Sequence, residues 1–286
     1  MSQPAYTLHL PGDPRSCVVF SSPHSGNEYP EDLLAMTRLD SQAIRSSEDA
    51  FVDRLFARAP DFGAPLLAAR FPRAYVDLNR ADTELDPALV RGVRYHGINP
   101  RIAAGLGVIP RVVGGHRAIR SGKMSLQEAN RRLNLAYRPY HARLAALLSE
   151  QHARFGIAIL VDCHSMPNEA ISHLERENTP FPDVVIGDRF GTSASAWITE
   201  AVIGIFNDAG FRVARNKPFA GGYITQHYGH PTRNRHAVQV EINRSVYMDE
   251  YAIQPRDDFD AICDTLAGIT RQIAALGSAS GSIAAE

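Results

Sequence analysis

The sequence predicts an α/β fold, a central sheet covered on both faces by helices, from two observations. Short, nearly unbroken apolar runs such as Cys17-Val18-Val19-Phe20 and Ile157-Ala158-Ile159-Leu160-Val161 read as strands buried on both faces, because a strand with one wet face would alternate apolar and polar residues. Longer stretches of helical period lie between such runs, and strands that alternate with helices in chain order build a sheet with helices on either side. At 286 residues, 44% hydrophobic and 21% charged, the chain is long enough to bury that core as one domain over 1–276.

In chain order, strands are expected near Ser16–Ser21, Pro65–Ala69, Ala74–Leu78, Ile157–Asp162, Asp183–Gly187 and Ala237–Ile242. Ser125-Leu126-Gln127-Glu128 has the spacing of a capping box, and Leu126, Ala129, Leu133, Tyr137, Tyr140 and Leu144 follow at helical intervals, with Pro139 expected to kink or break the helix. A second helix is expected from Ala194 to Asp208, closed by Gly210, and a last one from Phe259 to Leu276 with Gly277 after it. The small, polar tail 277–286 is expected to be disordered.

A net charge of -1 gives no general attraction for nucleic acid or an anionic membrane, so the expected partner is small. Three cysteines, Cys17, Cys163 and Cys263, are an odd count without paired spacing. A disulfide framework or a cysteine-built zinc site is therefore not expected, and the compartment reads as reducing. The start Met1-Ser2-Gln3-Pro4-Ala5-Tyr6 lacks a basic region followed by an apolar core, and no stretch approaches a membrane span, which points to the cytoplasm.

Chemistry-bearing residues gather at strand ends, where ligands bind in open α/β sheets. His24 follows the Cys17–Phe20 run in Ser22-Pro23-His24-Ser25-Gly26, and His164 follows Val161-Asp162-Cys163. A catalytic zinc needs about three His, Asp or Glu ligands and one open position for water. Both histidines fit by placement, and Asp49, Glu48 and Glu28 are the carboxylate candidates for the third ligand. Asp49 opens a helix expected over Asp49–Phe56, although Ser46-Ser47-Glu48-Asp49 also reads as a plain cap. In Val238-Gln239-Val240-Glu241-Ile242 strand alternation puts Glu241 on the face opposite the valines, with Gln239 and Asn243. A carboxylate inside a buried strand is costly unless paired or reactive, which makes Glu241 the candidate general base and a salt bridge to an arginine its bland alternative.

Tyr75-Val76-Asp77-Leu78-Asn79-Arg80 ends in an amide and a planar guanidinium, a combination suited to bidentate recognition of a carboxylate. Arg244, after the Glu241 strand, is a second fork. The irregular stretch 82–121, with Arg91-Gly92-Val93-Arg94-Tyr95-His96-Gly97 and Gly114-Gly115-His116-Arg117, and the glycine-rich 216–225 read as binding loops or plain connections.

The ordered set Pro23-His24-Ser25-Gly26, Glu48–Leu55, Val76–Arg80, Asp162-Cys163-His164-Ser165-Met166-Pro167 and Gln239–Arg244 closely resembles the N-formylglutamate amidohydrolase family over about residues 16–270. The resemblance implies a zinc carboxypeptidase-like fold with a mixed sheet, and hydrolysis of N-formyl-L-glutamate to L-glutamate and formate, the last step of one route of histidine degradation. Asp77-Leu78-Asn79-Arg80 is also similar to the substrate-carboxylate motif of the aspartoacylase and succinylglutamate desuccinylase group. That group carries a His-x-x-Glu metal pair, whereas His24-Ser25-Gly26-Asn27-Glu28 has one residue more. Asp49 is therefore preferred as the second ligand, with Glu28 and Glu48 in reserve.

The reading that results is a zinc, or other divalent transition metal, held by His24, Asp49 and His164, with Glu241 as base. Asn79, Arg80 and Arg244 hold the carboxylates of a small anionic N-acyl amino acid, and Arg73 polarises the amide carbonyl. Competing readings are another N-acyl amino acid or a C-terminal peptide bond as substrate, a non-catalytic anion-binding relative, and a hydrolase using Cys163 or Ser165 beside His164.

Overall fold

The structure, a computed structural model, describes residues 4–94, 99–172 and 181–279. Its centre is a seven-stranded sheet in the order Tyr6–His9, Leu66–Ala69, Val18–Ser22, Ala158–Met166, Arg235–Asn243, Val184–Gly187, Val213–Arg215. Val18–Ser22, Ala158–Met166 and Arg235–Asn243 run parallel, whereas Val184–Gly187 is antiparallel to Arg235–Asn243, so the sheet is mixed. The expected apolar runs account for its centre: Val18, Phe20, Ile159, Val161, Val238 and Val240 are fully buried. Two edge strands were not foreseen, Tyr6–His9 and Val213–Arg215, because both are short and only partly buried.

Two expectations for strands are corrected. Ala158–Met166 runs past Asp162, since pairing with Arg235–Asn243 continues without a break to Met166↔Asn243; His164 therefore sits inside a strand, not in the loop after one. Residues 74–78 form no strand. The Tyr75 amide turns back to the Pro72 carbonyl, and Asp77 Oδ1 accepts the Asn79 amide at 2.9 Å, so a proline and an aspartate side chain hold the backbone in a turn that no ladder competes for.

The capped helix starts as expected, with Ser125 Oγ accepting from the Glu128 amide at 3.0 Å. Pro139 does not break it: Leu126–Arg132 continues through a π-helical turn, Leu133–Tyr137, into Arg138–Phe155. The wide turn lies just where the proline ring would meet the carbonyl four residues back. The helix over Ala196–Asp208 ends before Gly210 at φ +90°. The last helix, Phe259–Ala279, passes through Gly277, where an added Cβ would lie 2.0 Å from Cys17 Sγ. Gly277 thus marks a close approach and not a helix stop; residues 277–279 of the expected tail are helical and 280–286 lie outside the described residues.

The chain gathers into two compact units, one drawn from Met1–Thr7, Pro23–Ala50 and Ala68–Arg143, the other from Leu8–Ser22, Phe51–Leu67 and Leu144–Glu286. The first has Leu33, Ile44, Tyr75, Leu89 and Tyr140 at its core, with the Arg132 guanidinium 4.5 Å from the centre of the Tyr75 ring. Its irregular stretch 82–121 includes the short helix Pro100–Ala103 and a ladder of Val112–Val113 with Arg117–Ala118; Tyr95, His96 and Gly97 lie outside the described residues. The second unit holds the five strands from Val18–Ser22 across to Val213–Arg215. Among the described residues no helix is long and apolar enough to cross a membrane.

Two stability measurements follow from this packing. Gly277→Ala should cost about 1–3 kcal/mol by overpacking, read as a shift in urea midpoint, and the cost should shrink in a Cys17→Ala background; equal penalties in both backgrounds would contradict the contact. The second concerns His236, whose Nδ1 accepts from the Ser195 amide at 3.3 Å. Burial lowers its imidazole from 6.5 to about 4. The unfolded chain takes up this proton first as pH falls, so the contribution is complete above about pH 6.5 and is lost towards pH 4, by up to roughly 3 kcal/mol. In an acid unfolding series His236→Gln should flatten that slope, and an unchanged slope would contradict the assignment.

Candidate active site

His24 follows the Val18–Ser22 strand through Pro23, and its ring is held from both sides. Nε2 lies 2.8 Å from Asp77 Oδ1 and Nδ1 lies 3.3 Å from Asp49 Oδ2, with all three side chains buried. The Asp49 amide donates to the His24 carbonyl at 3.0 Å, tying the two segments together. Gly26 follows because a Cβ there would stand 2.2 Å from the Phe71 carbonyl oxygen. Asp77 also accepts from Arg73 Nε at 2.9 Å. Burial would raise the Asp77 carboxyl, but the charges of Arg73, His24 and Arg80 more than reverse it and hold the group well below the usual range. With an ionised Asp77 accepting a hydrogen bond from Nε2–H, Nδ1 is the nitrogen that could ligate.

His164 is held in the same way by its own strand. Asp162, two residues back and on the same face, places Oδ2 2.9 Å from His164 Nε2, so Nδ1 is again the ligating candidate. Asp162 Oδ1 is buried and makes no hydrogen bond among the described residues. In the neighbouring strand His164 pairs with Glu241 and Asp162 with Gln239, and register partners share a face. Gln239 Nε2 donates to Glu241 Oε1 at 2.7 Å while its own Oε1 accepts from the Gly222 amide at 2.8 Å. Glu241, Gln239 and His164 are each less than a tenth exposed. Cys163 points to the opposite face, where its thiol donates to the Val161 carbonyl and burial pushes it well above its ordinary value. Both facts remove it as a nucleophile beside His164.

His24, Asp49 and His164 each offer a buried ligand atom, and these atoms lie within 4.8 Å of one another. Two imidazoles with carboxylate-held Nε2 atoms and one carboxylate form a donor set that fits a divalent transition metal. The orphaned Oδ1 of Asp162 fits as well, because a cation on the far side of the His164 ring would balance its charge. The reserve carboxylates are engaged elsewhere. Glu28 forms a fork with Arg70 at 2.6 and 2.8 Å. Glu48 is held by Arg45 at 3.0 Å and by the Tyr29 hydroxyl. The cap expected at Asp49 is not formed: Ser46 Oγ donates back to the Ala43 carbonyl, and the helix begins only at Val52, after Phe51 at φ +66°.

The arginines differ in their surroundings. Arg80 is buried, and burial lowers its guanidinium; Nε donates to the Leu106 carbonyl at 3.0 Å and Nη1 to the Asn79 carbonyl at 3.1 Å. Among the described residues it has no carboxylate within ion-pair distance. Arg244, also buried, donates from Nε to Ser165 Oγ at 3.2 Å. Arg73 commits Nε to Asp77. In the 216–225 stretch, Asn216 holds the 188–190 turn through Oδ1 and Gly222 holds Gln239. Sequence reasoning assigned no role to Asp77, Asp162 or Gln239. The last two stand two residues before His164 and Glu241, a period-2 signal that a strand reading contains; Asp77 acts through a turn and left no such signal.

If Asp77 and Asp162 hold the ligating tautomers, Asp77→Asn and Asp162→Asn should each weaken zinc binding by about 10- to 100-fold, measured by competition with a chromophoric chelator. Wild-type affinity in both variants would contradict that arrangement.

Residues 16–248 match the family model of N-formylglutamate amidohydrolase. The chain is 32% identical over 236 residues to an N-formylglutamate deformylase of Pseudomonas putida, covering 82% of each. It is 31% identical over 237 residues to the Pseudomonas aeruginosa N-formylglutamate deformylase, covering 82% of this chain and 83% of the relative. A solved N-formylglutamate amidohydrolase from Ralstonia eutropha superposes with a TM-score of 0.90 at 34% identity, over 96% of this chain and 99% of that one. By the family model and these relatives, the chain belongs to the N-formylglutamate amidohydrolase family, hydrolases of an amide C–N bond.

Proposed function

We propose that the protein hydrolyses N-formyl-L-glutamate to formate and L-glutamate with a divalent metal, zinc first among candidates, held by His24, Asp49 and His164. The observation that carries this reading is the buried donor set of two imidazoles and a carboxylate, with Glu241 the register neighbour of one of them. The relatives named as deformylases supply the substrate. A bound zinc would acidify a water molecule and polarise the formyl carbonyl.

The chain's own groups do the rest. Glu241 accepts a proton as water attacks the formyl carbon, and returns it to the nitrogen as the C–N bond breaks, so the products leave as formate and the amine of glutamate. Gln239, pinned by Gly222, keeps one oxygen of Glu241 occupied and directs the other. Arg80, a buried cation without a carboxylate partner among the described residues, supplies the attraction for a substrate carboxylate, with Asn79 and Arg244 as further donors. Arg73, expected at the amide carbonyl, serves here by holding Asp77 ionised and His24 in its tautomer. A formyl group offers little to grip, so binding energy from the glutamate end positions the amide.

Formate release from N-formyl-L-glutamate should disappear on chelation and return with zinc, and Glu241→Gln should lower kcat by about 10²- to 10⁴-fold while the metal still binds. Release that survives complete metal removal, or a Glu241→Gln enzyme of normal kcat, would contradict the proposal. Equal or faster turnover of N-acetyl-L-glutamate would move the substrate to a longer acyl chain.

A further inference from the structure

We infer that Tyr137 and His141 are positioning residues for the anion clamp of Asn79 and Arg80, an inference that rests on the reading of Arg80 as the carboxylate-binding group. The 76–80 segment belongs to no strand, so no ladder fixes the direction of its side chains. Side chains from one helix fix it instead. The Tyr137 hydroxyl donates to the Arg80 carbonyl at 2.8 Å, and His141 Nε2 donates to the Leu78 carbonyl at 2.9 Å. The carbonyl between them, that of Asn79, accepts from Arg80 Nη1. Three successive carbonyls are thus bonded, and the Asn79 amide is held by Asp77 Oδ1, so every step of the backbone at the clamp is tied.

The π-helical turn Leu133–Tyr137 ends at the first of these two side chains. From Ala129 to Leu133 to Tyr137 is two steps of four residues, which in an α-helix would drift by roughly 80°. The wide turn takes up that drift, so all three side chains are buried and Tyr137 meets the Arg80 carbonyl. One turn later the His141 ring lies 4.2 Å from that of Tyr137, so the two donors brace each other. Such single π turns recur at functional sites because they re-aim side chains in an otherwise regular helix.

The test is steady-state kinetics with N-formyl-L-glutamate and calorimetric binding of L-glutamate, using the zinc-loaded enzyme and variants at these positions. Tyr137→Phe and His141→Leu should each raise KM and the glutamate Kd by about three- to tenfold, the worth of one hydrogen bond, with kcat within about twofold. His141→Gln, which keeps a donor, should recover part of the loss. Because both residues act through Arg80, Tyr137→Phe should add nothing in an Arg80→Ala background. If Arg80→Ala raises KM but Tyr137→Phe and His141→Leu do not, or if they lower kcat at unchanged KM, the positioning role is overturned while the clamp stands. Arg80→Ala with unchanged KM and Kd overturns the clamp itself, and neither turnover nor glutamate binding by the parent enzyme overturns the proposed function and this inference together.

Discussion

Each buried imidazole of the site is tied through Nε2 to a buried carboxylate, His24 to Asp77 and His164 to Asp162, and the remaining chemistry depends on that pairing. An imidazole in a dry interior can present either nitrogen, and only a second bond decides which one carries the proton. The carboxylates decide it here, and both rings are left with Nδ1 as the atom that could ligate. The cost is buried negative charge, which the protein offsets at Asp77 with Arg73, the Asn79 amide and the His24 ring itself. At Asp162 the His164 ring is the hydrogen-bond partner among the described residues, so that carboxylate gains most from a cation on the other side of the ring.

The same economy of fixed polar contacts extends to the groups that would handle substrate. Glu241 is aimed by Gln239, whose own amide is oriented by the Gly222 backbone, so loop 216–222 is coupled to the proposed base. Arg80 is aimed by the Leu106 and Asn79 carbonyls, and its segment is gripped from the helix that carries the π turn. In the proposed reaction, rigid placement of this kind would let binding of the amino-acid end orient a small formyl group, for which contact area alone offers little discrimination.

Much of this was legible in the sequence because burial leaves a compositional mark. The central strands read directly from Val18-Val19-Phe20 and Val238–Ile242, and the face shared by Gln239 and Glu241 follows from alternation. Asp49 was ambiguous between cap and ligand, since both uses need the same acid after the same serines; the placement of Ser46 and of the helix start at Val52 removes the cap. Residues 74–78 were misread as a strand because an apolar run looks alike in a strand and in a buried turn, and the side-chain donors that hold the carbonyls at its end, Tyr137 and His141, belong to a helix far along the chain. The extension of the strand through His164 was hidden for a similar reason, since pairing with a distant partner, not local propensity, carries it to Met166. Gly277 looked like a helix stop, and what it reflects is the approach of Cys17.

The most direct test of the account is a crystal structure of the zinc-soaked protein. The account requires a single ion about 2.0–2.2 Å from His24 Nδ1, from His164 Nδ1 and from one Asp49 oxygen, with Asp77 and Asp162 still on the two Nε2 atoms. An ion bound through either Nε2, or through Glu28 or Glu48 in place of Asp49, would contradict it.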